Sequence, residues 1–218
     1  MKTFQKFGGL AAILEAAAYI FGFSLYFTVF TTPVEGGLMG RLAFAEANST
    51  ILFIQNLIIY VGFGALLIVL TLALYDRMKT LTPALSLTAA GFGIVWATLV
   101  IASGMLGNVG LEAALALKST DADAAAMLLK TTGTVQNGLG GGNEIVGGIW
   151  VLLISIAGLR SAALPRFLNY LGLVVGGAGL LSTIPGLGDL GAIFGLGQIV
   201  WFIWIGAAMI RSPEVQQA

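Results

Sequence analysis

The chain contains no cysteine and no histidine. The first absence excludes disulfides and thiolate chemistry. The second removes the commonest metal and haem ligand and the usual general base. Charge is scarce as well: 9% of the 218 residues are charged, against 58% hydrophobic. Soluble domains carry about a quarter charged residues, so this composition cannot cover a water-facing surface. Ten basic and ten acidic residues cancel, which argues against nucleic acid as a partner. With a mean hydropathy of +0.97, hydrocarbon must replace water as the outer solvent, and the expected partner is a lipid bilayer.

What the sequence has is long apolar runs. A membrane span needs about 20 such residues, and the runs predict spans over 8–30, 51–75, 83–106, 141–159, 167–184 and 190–210. The expected fold is all-α, a six-helix transmembrane bundle forming a single integral membrane domain over 1–218. Ala16–Ala18 resembles a signal cleavage site, but the apolar run continues well past it, so the first helix is expected to stay. Residues 31–50, with Pro33, Gly36, Gly37 and Gly40, read as a loop. Residues 107–139 read as the longest connection. Within it Thr120-Asp121-Ala122-Asp123 has the form of a capping box. Ala124, Met127, Leu128, Thr131 and Val135 follow at helical spacing, which predicts a short amphipathic helix between the third and fourth spans.

Charge placement predicts orientation. Lys2, Lys6, Arg77, Lys79, Arg160, Arg166 and Arg211 fall on one side of these spans, and Arg41, Lys118 and Lys130 on the other. The richer side should be cytoplasmic, with both termini there. A three-plus-three repeat is suggested by Val61–Leu67 against Val175–Leu181, and by Ile94-Val95-Trp96 against Ile199-Val200-Trp201. A chain rich in Gly, Leu and Val also gives such matches by chance.

Glu15 and Glu144 are the carboxylates placed within spans, where an ionisable group is costly and faces protein or water. Each shares a helical face with small residues, Glu144 with Gly147 and Gly148. Gln55, Asn56, Asn143, Glu144 and Gln198 fall in the outer half of the expected bundle. They would line one polar pocket if their helices converge, or make separate interhelical hydrogen bonds if they do not. Gly172-x-x-x-Gly176 reads as a helix contact. Gly186–Gly191 matches G-x-G-x-x-G only formally, since no strand precedes it. Lys118 and Lys130 lie outside the spans, which removes a retinal Schiff base. Trp150, Trp201 and Trp204 are expected against lipid or neighbouring helices. No cofactor, metal or catalytic group is expected.

Gly148, Trp150, Leu152, Leu153, Arg160, Leu164, Pro165, Arg166, Phe167, Leu168, Gly172 and Gly176 form a pattern across the fourth and fifth spans. It resembles a bacterial multi-pass membrane family known only as domain of unknown function 4386. The resemblance is one of layout over most of the chain and of motif in this hairpin alone. It implies a bacterial inner-membrane protein of six or more helices and supplies no activity. The leading expectation is therefore a non-catalytic accessory or scaffold subunit. It would pack through glycine-rich helix faces against itself or other membrane subunits. The alternative is a small transporter or ion-coupled carrier using the intramembrane carboxylates.

Overall fold

The computed structural model describes residues 2–30, 35–141 and 144–211; Asn143 lies outside them, so the candidate set is followed without it. Among the described residues there are helices and turns and no strand. Helix α1 is Lys2–Thr28, α2 Gly37–Ala47 and α3 Ser49–Gln55. A π-helical segment, Asn56–Gly62, joins α3 to α4, Phe63–Met78. Then follow α5 Pro83–Leu117, α6 Ala122–Gln136, a second π segment Asn137–Gly141, α7 Ile145–Ser161, α8 Arg166–Leu181 and α9 Leu190–Arg211. Among the described residues five stretches are long and apolar enough to cross a membrane: Thr3–Thr28, Ser49–Met78, Pro83–Leu117, Ala122–Ser161 and Leu190–Arg211. Helix α8 is apolar too, but its 16 residues reach only about 24 Å at 1.5 Å per residue.

Two sequence expectations need correction. Residues 31–50 are not simply a loop, because Gly37–Ala47 is helical. Leu38, Leu42 and Ala45 recur at helical spacing there, and Leu42 packs on Ala125 and Ala126 of α6. The connection after the third span is also shorter than expected, since α5 continues unbroken through Gly107 and Gly110 to Leu117. Its 35 residues measure about 52 Å, well beyond the roughly 30 Å of a hydrocarbon core. Asp121 caps α6 by accepting from the Ala124 amide at 2.9 Å. Thr120, the expected cap, instead donates back to the Leu117 carbonyl at 3.0 Å.

The chain forms two compact units. The first takes in residues 1–20, 63–98 and 144–218, of which the described part holds α4, α7, α8, α9 and the first portions of α1 and α5. Helices α7 and α8 make its tightest pair. A Cβ on Gly148 would meet the Gly176 carbonyl oxygen at 2.8 Å, and one on Gly176 would meet the Gly148 oxygen at 2.7 Å. The missing side chains let two backbones touch. Gly9 and Gly206 do the same for α1 and α9, at 2.8 and 2.7 Å. Ala162 ends α7 in the left-handed region, φ 52°, and Pro165 starts α8. The turn is pinned from α4, because Arg77 Nε donates to the Ala163 carbonyl at 2.9 Å. Asn169 Nδ2 reaches the Leu164 carbonyl at 3.3 Å from a slot beside Gly158. Arg77, expected from sequence as an orienting charge, is thus a buried clasp.

The second unit takes in residues 21–62 and 99–143, with α2, α3, α6, both π segments and the remainders of α1 and α5. Gly104, Gly107 and Gly110 form a small-residue face on α5. Added Cβ atoms would meet Tyr60 Cβ at 2.6 Å, Asn56 Nδ2 at 2.7 Å and Thr132 Cβ at 2.7 Å. Glycine there lets the first π segment and α6 lie directly against α5.

Candidate functional site

The first unit is built around indole and phenyl rings. Trp96, Trp150 and Trp201 run in series, with centroids 5.6 and 5.5 Å apart. Phe63 sits edge-on to Trp96 at 5.6 Å, and Phe202 to Trp201 at 5.4 Å. Tyr19 touches both phenylalanines, at 5.5 and 6.1 Å. Glycines form the sockets for these rings. Gly147 faces the Trp96 ring at 2.7 Å and Gly172 the Trp201 indole nitrogen at 2.7 Å, measured from the Cβ each lacks. Trp150 and Trp201 are buried and Trp204 is partly exposed, so the expectation for these three divides between helix packing and the outer surface.

Buried polar atoms without a hydrogen-bond partner collect in this unit. Apart from Gln5 Oε1, whose amide nitrogen donates to the Ala73 carbonyl at 2.9 Å, they fall into two kinds. Thr71 Oγ1 and Trp150 Nε1 border the same socket at Gly93, and Ser155 Oγ and Trp201 Nε1 the same socket at Gly172. Each couple joins an indole donor to a hydroxyl, and a small rotation would satisfy both. Glu15 and Gln198 differ. Both are 0% exposed, and among the described residues neither Glu15 oxygen nor either amide atom of Gln198 has a partner. A buried polar group left unmatched costs about 1–3 kcal/mol, and an ionised carboxylate considerably more. Glu15 lies one helical turn before Tyr19, and Gln198 one turn before Phe202, the ring Tyr19 touches. The two groups thus flank one aromatic contact between α1 and α9.

Glu144 belongs to the same unit but not to this cluster. It is half-buried at the N-terminal boundary of α7, its carbonyl accepts from the Gly148 amide at 2.8 Å, and its side chain makes no capping hydrogen bond.

Asn56 belongs to the second unit, where its surroundings are the opposite of those at Glu15. Its Nδ2 donates to Asn108 Oδ1 at 2.9 Å, and its Oδ1 accepts from Gln136 Nε2 at 3.1 Å. Asn108 Nδ2 continues to the Phe53 carbonyl at 3.4 Å, and Ser103 Oγ donates to the Gln136 carbonyl at 3.1 Å. The result is an amide chain linking α3, α5 and α6 where the helix turns from α to π geometry. Such π segments recur at functional positions. Asn108 also lines an open groove of about 410 Å³ with Ser49, Thr50, Phe53 and Glu112. Gln55 is not part of this chain, and its Oε1 is buried without a partner. Asn108, Gln136 and Ser103 were not singled out from sequence. Asn108 and Gln136 sat in what read as a connection, and only lateral packing reveals their pairing.

The four expected packing glycines, Gly147, Gly148, Gly172 and Gly176, are all buried and all meet groups of this same chain. Among the described residues no group of three or more Asp and Glu side chains is placed to hold a metal ion. Comparison with protein-family models, with curated proteins and with solved structures finds no match.

Proposed function

We propose that the protein is a small ion-coupled carrier in which Glu15 takes up and releases a proton. One observation carries this: a carboxyl fully buried in a membrane helix, with neither oxygen hydrogen-bonded and a partnerless Gln198 one ring contact away. A carboxyl kept to bond one helix to another would have its partner. An unpaired carboxylate is too costly in a sealed bundle, so the closed form holds the neutral acid. Water reaching α1 from one side would let the proton leave, and Gln198 would bind the polar end of the co-transported solute. The expected packing glycines are consumed inside the chain, which weakens the motive for a scaffold.

In this reading four of the long apolar stretches, the α7 end of Ala122–Ser161 and the short helix α8 make six spans. Both termini are cytoplasmic, and α2 and α6 lie on the outer face of a bacterial inner membrane. The family resemblance of the Gly148–Gly176 hairpin belongs to the same proposal. The test is proton flux into vesicles under an imposed potential, followed with an internal pH dye while a mixture of amino acids, sugars and carboxylic acids is supplied outside. Wild-type and Glu144→Gln vesicles should conduct, and Glu15→Gln vesicles should not. Equal flux in wild type and folded Glu15→Gln would overturn the proposal.

The second reading is an accessory subunit or self-associating scaffold, favoured by one face of α8. Phe167, Tyr170, Val174 and Leu181 are exposed in near-heptad spacing, and a Cβ on Gly177 in the same row would meet nothing within 4 Å. Gly177→Leu should then abolish a dimer seen by light scattering in detergent. A wild-type chain that is monomeric throughout would remove this reading.

A further inference from the structure

Within the second unit, α2 and α6 pack through Leu42, Ala125 and Ala126. A cavity of about 230 Å³ opens beside that contact. Leu38, Ala126 and Leu129 lie along it, and Arg41, Lys130 and Asn137 line it too. The second unit has five acidic residues, Glu35, Glu46, Glu112, Asp121 and Asp123, and three basic ones. None of the five acids lines the cavity, yet two of the three bases do. The third base, Lys118, is paired with Glu46. No ion pair engages Arg41 or Lys130 among the described residues. Two cations facing one cavity repel each other, and an anion between them relieves that cost.

We propose that this cavity binds a phosphoryl anion through Arg41, Lys130 and Asn137. The Arg41 guanidinium offers a planar fork to two phosphoryl oxygens, and the Lys130 ammonium a mobile point charge to a third. The Asn137 side-chain amide supplies a neutral donor. Thr134 is not a donor to the anion, because its hydroxyl already donates to the Lys130 carbonyl at 2.9 Å. The cavity is larger than a bare phosphate needs, and its leucine and alanine wall suits the ester arm of a phospholipid. Free phosphate and a lipid headgroup therefore share one chemistry here. Gly133 borders the cavity, and a Cβ on it would meet nothing within 4 Å, so the space beside α6 is open.

The test uses the full chain in nanodiscs. Thermal stability is measured in phosphatidylcholine discs with inorganic phosphate against chloride at equal ionic strength. It is then measured in discs containing phosphatidylglycerol. Stabilisation by phosphate identifies a free anion, and stabilisation by phosphatidylglycerol alone identifies a lipid; either supports the proposal. In the paired variant Arg41→Gln with Lys130→Gln the apparent affinity should fall by about tenfold or more, as expected for lost charge-assisted hydrogen bonds. Gly133→Leu keeps both cations and fills the cavity, and it should block binding while leaving the fold intact. Lys118→Gln should leave binding unchanged. No response to either probe, or a response that survives both the paired variant and Gly133→Leu, would overturn the proposal.

Discussion

The amide chain of the second unit and the Glu15 and Gln198 side chains of the first treat buried polarity in opposite ways, and Gln55 of the second unit, with one buried oxygen unpartnered among the described residues, resembles the latter. In the second, Gln136, Asn56 and Asn108 hand hydrogen bonds from one amide to the next, and the glycines of α5 exist to let them meet. In the first, rings are seated on glycines and backbones are in contact, yet Glu15 and Gln198 are left unmatched. A polar group that is paired can be explained by stability alone. One that is sealed and unpaired costs stability, and its retention points to use.

The comparison can be broken or sharpened by substitution. The largest effect is expected at Gly148→Leu, whose side chain would collide with the α8 backbone. It should cost about 3 kcal/mol, read from unfolding in detergent, while Gly177→Ala on the open face should change stability by less than about 1 kcal/mol. Next comes a sign reversal between the units. Asn56→Leu should destabilise by about 2 kcal/mol, because it strands Asn108 and Gln136. Glu15→Met should be neutral or stabilising by about 1 kcal/mol, because it removes a group with nothing to lose. The same sign at both sites would erase the distinction drawn here. Asp121→Ala should cost about 1 kcal/mol through its lost cap on α6. The smallest effect belongs to Lys118→Gln, whose exposed pairing with Glu46 should be worth less than about 1 kcal/mol and vanish in high salt.

Much of the architecture is legible in the sequence because bilayer thickness and helical rise fix how long an apolar run must be. Four of the expected spans lie within stretches meeting that requirement, and 8–30 overlaps a fifth, Thr3–Thr28. What the sequence hid follows from glycine. Gly36, Gly37 and Gly40 read as a loop, although Leu38, Leu42 and Ala45 were enough to seat a helix on α6. Gly107 and Gly110 read as a break in α5, yet they are the places where Asn56 and Thr132 come close. At the candidate site, Glu15 is legible as an intramembrane acid facing small residues. Its lack of a partner is not, because pairing depends on which helices become neighbours. For the same reason depth alone grouped Asn56 with Gln198, although each belongs to a different unit.

The most direct measurement is infrared difference spectroscopy on the reconstituted protein with isotope-labelled glutamate, recorded as the pH on one side of the membrane is stepped. The account expects the carbonyl band of a carboxylic acid that accepts no hydrogen bond, responsive to the step and missing in Glu15→Gln. A band that ignores the step, or a spectrum unchanged by Glu15→Gln, would contradict it.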